Sequence, residues 1–384
     1  VVQRQATRDY LPVVNAGASH GYNWGQRIDP FTNEFASERV RTNNLYVGGN
    51  WLLFNGLQNY YLVQKARTEV AYQQYNQEVQ ERNLKIDVTA HYLQVLLADQ
   101  QLKNAREQLA YTRKLQQRTR ELLQAEQATE LSLLEIEAQT ALDSLSVTQA
   151  NNSLRLAEFR LKQFLNLPPE ASFQLDKAKG NLPINPESPP IVMEQLPELL
   201  RAEELAKINE TNLKIARRQL SPSLSLNASM GSGYSGNNTE QVGTEFVAKS
   251  FNRQLDENFY QAAAVTLSVP IFNKGTVGSS ITRSRIELEK ATLQKQNLRL
   301  ELQNKIAQLQ LELENAQLQQ TTAQTARNAT QKALEIAQLN YEEGRINFAD
   351  FLEVRNKHFL AQSQSTNAQF EYLFKKKILN YYSG

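Results

Sequence analysis

Two periodicities alternate along this chain, and each occurs twice. In the segment LSLNASM, Leu224, Leu226, Ala228 and Met230 point one way, while Ser223, Ser225, Asn227 and Ser229 point the other. Val265, Leu267, Val269 and Ile271 alternate with Thr266 and Ser268; Val14, Ala16 and Ala18, then Val47, Trp51 and Leu53, repeat the pattern near the start. A period of two predicts strands with one apolar and one polar face. The second periodicity is helical. From Leu57 to Ala125 there is neither proline nor glycine, which at 1.5 Å per residue predicts about 100 Å of helix. Residues 276–343 repeat that length, interrupted only by Gly278 near its start. Val88, Val95, Leu102 and Leu109 fall seven apart, with Leu93 and Leu97 beside them, and Ile286, Leu293 and Leu300 do likewise. Sevens predict coiled-coil packing.

The two patterns recur in register. Phe54-Asn55 returns as Phe272-Asn273, 218 positions later, and the same shift pairs Arg67 with Arg285, Leu84 with Leu302, Leu93 with Leu311, Ala98 with Ala316 and Leu134-Glu135 with Leu352-Glu353. Upstream the shift is 210, pairing Pro12 with Pro222 and Gly21 with Gly231. The second half therefore holds an eight-residue longer connection, as exposed loops tolerate. Three segments are expected: a first repeat at 1–165 (two strands and a helical hairpin), a proline-rich connector at 166–196, and a second repeat at 197–384. The connector's prolines between 168 and 190 predict little regular structure.

Composition narrows what such a chain can be. Only 41% of the 384 residues are apolar and 8% aromatic, which predicts an elongated object with much exposed surface. The 42 basic and 40 acidic residues nearly cancel with no basic block, so a nucleic-acid partner is not expected. The absence of cysteine excludes disulfides and thiolate metal sites. No run approaches the roughly 18 apolar residues of a membrane-spanning helix, a statement that leaves membrane strands open. The chain begins at Val1 and reads as a mature or truncated piece. Four strands suit an ordinary sandwich core as far as alternation alone goes, but they are too few to close one. Their polar faces carry small uncharged Ser, Asn, Gly and Thr, suited to a watery lumen, and association of several chains would supply the closure that lipid requires. On that reading Val47, Trp51, Leu53, Leu224, Leu226, Val265 and Leu267 face lipid, and Tyr22, Trp24 and Tyr234 sit at the interface. The polar loops 27–41 and 237–258 lie at one end of the strands only, an asymmetry of outer-membrane barrels.

Strands and helices in this order, twice, resemble the TolC-like outer membrane efflux protein family. The resemblance covers nearly all of the chain. It is carried by LSPSLSLNASMG with its echo LPVVNAGAS, by the strand-to-helix steps WLLFNG and VPIFNKG, and by the tips LLQAEQATELSLLEIEAQ and YEEGRINFADFLEV. It implies a mainly α fold with membrane β: a homotrimer whose twelve strands form one barrel, continued by an α-helical barrel through the periplasm. It implies an exit duct of a tripartite efflux or type I secretion system in the outer membrane of a Gram-negative bacterium. The partners would be a periplasmic adaptor (membrane fusion protein), an inner-membrane transporter and outer-membrane lipid. At the front, Val1 to Asp9 matches only the last part of the helix that Glu198 to Gln219 shows complete.

A glycine inside a helix costs about 1 kcal/mol relative to alanine, so Gly344 marks a bend or a reversal. The resemblance makes it a reversal at the periplasmic tip: Gly344 as a left-handed C-terminal cap, followed by Arg345, with Asn347 capping the returning helix. The echo puts Glu126 at the glycine position and Thr129 at the cap, so the first tip is expected to turn differently. By motif position the resemblance assigns the adaptor contact to these turns, and the tunnel entrance to Asp350 and Glu353, with Tyr341 in the closing network. Asp350 and Glu353 equally suit a solvated helix start, where the dipole favours acids. Ile346 and Ser132 stand where some relatives carry charged gate partners, leaving the gate bonding open. His20, His91 and His358 lack neighbours at metal-ligand spacing, and no nucleophile elbow, phosphate loop or HExxH occurs; no enzyme, metal or cofactor is expected. The reading from another class is a soluble coiled-coil scaffold or periplasmic adaptor-like interaction protein, which explains the helices but not the duplicated strands.

Overall fold

A computed structural model describes residues 2–29, 31–33, 35–36, 39–168, 170, 191–242 and 244–383. Of the expected connector 166–196, residues 169 and 171–190 lie outside the described residues. A helix α1 (Val2–Arg8), strands β1 (Val13–Asn23) and β4 (Val40–Asn55), a 67-residue helix α2 (Gln58–Gln124) and helix α3 (Glu130–Phe164) make up the first half. The same order follows in α4 (Pro197–Arg218), β5 (Ser223–Ser235), β8 (Tyr260–Ser268), α6 (Thr276–Glu342, again 67 residues) and α7 (Phe348–Ser383). The chain divides into two compact units, Val1–Tyr75 with Leu200–Gln296, and Asn76–Leu199 with Asn297–Gly384. Each unit draws on both halves of the sequence. Among the described residues no helix is long and apolar enough to cross a membrane.

The first unit is built on one antiparallel sheet of order β1-β4-β5-β8. Register carries each face across all four strands: Trp51 lies opposite Leu226 and Leu226 opposite Val265, while Val47 lies opposite both Ala16 and Met230. Apart from the half-buried Leu226 these side chains are exposed in the single chain, and so are Val13, Val14 and Leu267. Two departures from strict alternation have local causes. A bulge between Leu52 and Phe54 leaves Leu53 without a cross-strand partner and puts Phe54 opposite Leu224. β8 stops at Ser268 rather than running to Ile271, because Pro270 brings no N–H to a ladder.

The loops expected to be merely long and polar carry structure. They hold two small hairpins, β2 (Arg27–Ile28) with β3 (Phe35–Ala36) and β6 (Thr239–Val242) with β7 (Glu245–Ala248), and a short seven-residue helix α5 (Phe251–Glu257). A buried polar knot ties them. Asp29 accepts from the Ser235 hydroxyl and, at 2.9 Å, from the Phe31 N–H, and Gln254 Oε1 accepts from the Ser235 N–H at 2.9 Å.

Strand turns into helix through two successive left-handed residues in each half: Gly56 and Leu57 (φ 64° and 68°), then Lys274 and Gly275 (φ 55° and 74°). The 218-residue shift superposes the pairs but exchanges the glycine. Only at the first site is glycine also needed for space, since a Cβ on Gly56 would fall 2.1 Å from the Ser221 Cβ, whereas Gly275 has nothing within 4 Å.

The second unit has no single core. One cluster joins Leu196 and Leu199 to Leu302, Ile306, Leu309, Leu379 and Tyr382; another joins Val95 and Ala98 to Ala157 and Leu161; a third gathers Ile136, Ala337, Phe348 and Phe351. Beside the first cluster the buried Arg82 pairs with Glu198 and lies over the Tyr382 ring, 4.6 Å from its centroid; burial lowers its pKa. Of the seven-spaced positions, Val95, Leu102 and Leu109 are buried as expected. Ile286, Leu293 and Leu300 are exposed, and Leu302, Ile306 and Leu309 face inward instead. A seven-residue repeat fixes which side chains share a stripe, not what covers it.

Candidate functional site

The ends of the two helical hairpins lie in the second unit, and their geometry corrects one expectation. The first tip does not turn differently from the second. Glu126 adopts φ 59° and Gly344 φ 70°, and both helices end in the same pair of bonds. Gln127 N–H reaches Leu122 O at 2.8 Å and Glu126 N–H reaches Leu123 O at 3.0 Å; Arg345 N–H reaches Asn340 O at 2.8 Å and Gly344 N–H reaches Tyr341 O at 3.1 Å. This is the Schellman arrangement. The Schellman bonds outweigh the cost of a left-handed L-residue, about 1–2 kcal/mol, so Glu126 is held where glycine would be free. Each returning helix is capped alike: Thr129 Oγ1 accepts from Ser132 N–H at 3.1 Å, and Asn347 Oδ1 from Asp350 N–H at 2.8 Å.

The remaining candidates separate into an apolar group and an exposed charged group. Tyr341 is half-buried, stacked on Phe351 with centroids 5.1 Å apart and tilted against Phe348 at 5.6 Å. Burial raises its phenol pKa, against a hydrogen bond to Thr119 and the nearby Arg118. Asp350 is exposed in the first turn of α7. Glu353 is also exposed but sits 2.6 Å from Lys357 Nζ, whose hydrogen bond and charge lower its pKa. Arg345 pairs with Glu343 at 2.8 Å. The three histidines are dispersed. His91 stacks on Phe164, His20 meets Asn43, and His358 is half-buried with its pKa lowered, first by burial and then by Arg327. Among the described residues no group of three potential metal donors occurs.

What the sequence reading missed lies just inside this tip. Arg355 on α7 is fully buried and reaches Asp143 on α3, Nη2 to Oδ2 at 2.6 Å, and also donates to the Thr112 hydroxyl on α2. Asp143 accepts from Gln108 and Gln139, each at 2.8 Å, and from Thr112 at 2.5 Å. The guanidinium carbon is 5.0 Å from the Phe359 ring and 6.0 Å from that of Tyr111. A charge pair removed from water on all sides is costly unless its lone pairs and protons are used; here both carboxylate oxygens are, while the buried Arg355 Nε has no hydrogen-bond partner among the described residues. A signal was available in the sequence. Phe348, Phe351 and Arg355 fall at i, i+3 and i+7, and Ile136 and Asp143 at i and i+7, so each charge continues an apolar stripe into the core.

Comparison with known proteins follows from this geometry. Residues 191–376, the second strand pair with its helical hairpin, match the family model described as outer membrane efflux protein. This stretch of the chain is similar to that family. No curated protein matches the chain in sequence. Solved outer-membrane proteins match the fold of this chain over its whole length. CusC aligns with TM-score 0.81 at 15% identity, covering 100% of this chain and 85% of that one. VceC of Vibrio cholerae aligns with TM-score 0.80 at 15% identity, covering 100% and 89%. CmeC of Campylobacter jejuni aligns with TM-score 0.80 at 16% identity, covering 100% and 81%. The fold class is theirs: strands that contribute to a β-barrel, and hairpins that contribute to an α-helical barrel.

Because Arg355 and Asp143 are desolvated together, removing one partner strands the other. Arg355→Leu is expected to destabilise the helical unit by about 3–5 kcal/mol. The double variant Arg355→Leu, Asp143→Leu should recover most of that loss. Thermal unfolding followed by helical circular dichroism checks it; a double variant no more stable than the single one contradicts the assignment.

Proposed function

We propose that the chain is one protomer of a homotrimeric exit duct in the outer membrane of a Gram-negative bacterium, extended into the periplasm by its helices. The observation that carries this reading is the sheet of the first unit. Its outer strands β1 and β8 each have a neighbour on one side only. One face is apolar from β1 to β8 at the levels of Val47 and Trp51, with His20, Arg41, Asn43 and Gln261 towards its loop end, and the other is polar with no Asp, Glu, Lys or Arg on it. Lipid tolerates no open strand edge, so the edges pair between copies, three chains giving twelve strands. Tyr22 and Trp24, both exposed, form the interfacial belt at the loop end; Tyr234, expected there too, is instead buried against Phe251 and Arg41. The duct is passive. A periplasmic adaptor and an inner-membrane transporter supply energy and select cargo, and the capped turns at Glu126–Thr129 and Gly344–Asn347 are the adaptor contact. The organisation into two repeats at 1–165 and 197–384 provides two such turns per chain. A soluble scaffold would leave the apolar sheet face and both sheet edges without a use.

Asp350 and Glu353 surround the periplasmic mouth, each as a ring of three. Asp350 contributes more, because Lys357 offsets Glu353. Tyr341 stiffens the turn behind them through its stack on Phe351.

Two experiments test this function. Leu226→Arg, on the apolar face, should cost about 2–4 kcal/mol near the bilayer midplane and abolish the heat-sensitive trimer. Ser225→Arg should leave the trimer intact and change conductance; equal loss in both would contradict the facing. In planar bilayers the duct should prefer cations and be blocked by multivalent cations from the helical side. Asp350→Asn with Glu353→Gln should weaken that block, with most of the change in Asp350→Asn alone. An unchanged block returns both acids to a solvated helix start.

A further inference from the structure

The polar face of the sheet carries one level unlike the rest. Register aligns Gly17, Tyr46, Gly231 and Tyr260 side by side, one from each of β1, β4, β5 and β8. The rings rest on the glycines. A Cβ on Gly17 would stand 2.6 Å from Cε1 and Cζ of Tyr46, and one on Gly231 would stand 2.8 Å from the Tyr260 hydroxyl. Neither glycine has positive φ; Gly17 leaves the space its ring fills, and Gly231 leaves room both for its ring and for the Leu45 carbonyl oxygen, 2.7 Å from where a Cβ would stand. Tyr46 and Tyr260 nevertheless remain 44% and 43% exposed, so the side of each ring away from its glycine is open. Elsewhere this face holds amides and hydroxyls such as Asn15, Asn44, Ser229 and Thr266, and the Asn50 amide donates to Asn227 at 2.6 Å. Apart from the two phenols no side chain on it ionises.

We propose that this row is a solute-contact layer of the duct, taking aromatic compounds and organic cations by stacking and cation–π attraction. The inference rests on the reading of this face as the lumen. Covering a glycine explains one side of each ring, but not why two tyrosines share a level on a face of small residues. Three-fold symmetry repeats the row at one height, giving six π faces around the axis. With no fixed charge beside them, the ring quadrupoles are the strongest feature a passing solute meets, and they favour cations and other rings.

The test uses the full-length trimer in planar bilayers with probes added from the loop side. Tetraphenylphosphonium and tetraethylammonium carry the same charge, but only the first carries rings. Tetraphenylphosphonium should block the native duct at about ten-fold lower concentration, the scale of one or two such contacts. The double variant Tyr46→Leu, Tyr260→Leu keeps apolar bulk over the glycines and should lose that preference, whereas Tyr46→Phe, Tyr260→Phe should keep it. In the same bilayers, and because the chain has no cysteine, Ser225→Cys and Leu226→Cys are each treated with a charged, membrane-impermeant thiol reagent. Conductance should fall for Ser225→Cys alone. If it does and the leucine variant still prefers tetraphenylphosphonium, the contact layer is overturned and the duct stands. If Leu226→Cys responds instead, the face assignment and the contact layer fall together.

Discussion

Two unpaired strand edges govern this molecule. β1 and β8 end the four-stranded sheet with their outer N–H and C=O groups unmatched, and the apolar face between them is open. In water such a sheet is an aggregation template; in lipid each unmatched group costs several kcal/mol. The proposed closure with further copies around a polar lumen satisfies both faces and both edges at once. The composition of the strands follows from that requirement. On the proposed reading glycine, serine and asparagine keep the lumen face low and wet, while leucine, valine and tryptophan meet the hydrocarbon. The structured loops, tied by Asp29, Ser235 and Gln254, sit at the one end where the chain need not enter helices.

The helical unit meets a different constraint. Hairpins that enclose a tunnel have no room for a thick core, and three small apolar clusters are spread along these helices instead. Orientation is then fixed by a few specific contacts. Near the tip, Arg355, Asp143 and Thr112 tie α7, α3 and α2 through charge-assisted bonds, and Arg82 with Glu198 and Tyr382 does so at the far cluster. Such pairs add less net stability than an apolar core but tolerate few alternative registers.

Much of this was legible in the sequence. Alternation located the four strands of the large sheet but not the two short loop hairpins, and the absence of proline and glycine set the limits of α2 and α6 to within a residue or two. The 218-residue echo anticipated matching strand-to-helix steps and matching helix caps at Thr129 and Asn347. The failures have physical causes. Residue identity predicted different tips, but Schellman hydrogen bonds hold Glu126 in the conformation that Gly344 adopts freely. The bulge at Leu53 and the stop at Ser268 depend on partner strands and on Pro270, which alternation does not see. The repeat of sevens found Val95 and Leu102 inside, yet left Ile286 and Leu293 outside, because periodicity names a stripe without naming its neighbour. Arg355 and Asp143 were passed over as charges although they continue apolar stripes, and the Gly17–Tyr46–Gly231–Tyr260 row appears only when register aligns the four strands.

The central claim is that β1 of one copy completes the sheet beside β8 of the next. The native chain has no cysteine, so engineered thiols report that contact without background. Single cysteines scanned along β1 from Val13 to Ser19, each combined with Ala264→Cys on β8, are oxidised in the detergent-extracted protein and separated under denaturing conditions. A disulfide needs Cα atoms within about 7 Å, so only pairs in register should react. The account predicts that reacting pairs give bands of one, two and three linked chains and nothing larger. Ladders that continue beyond three chains, or cross-links that form only within one chain, would contradict it.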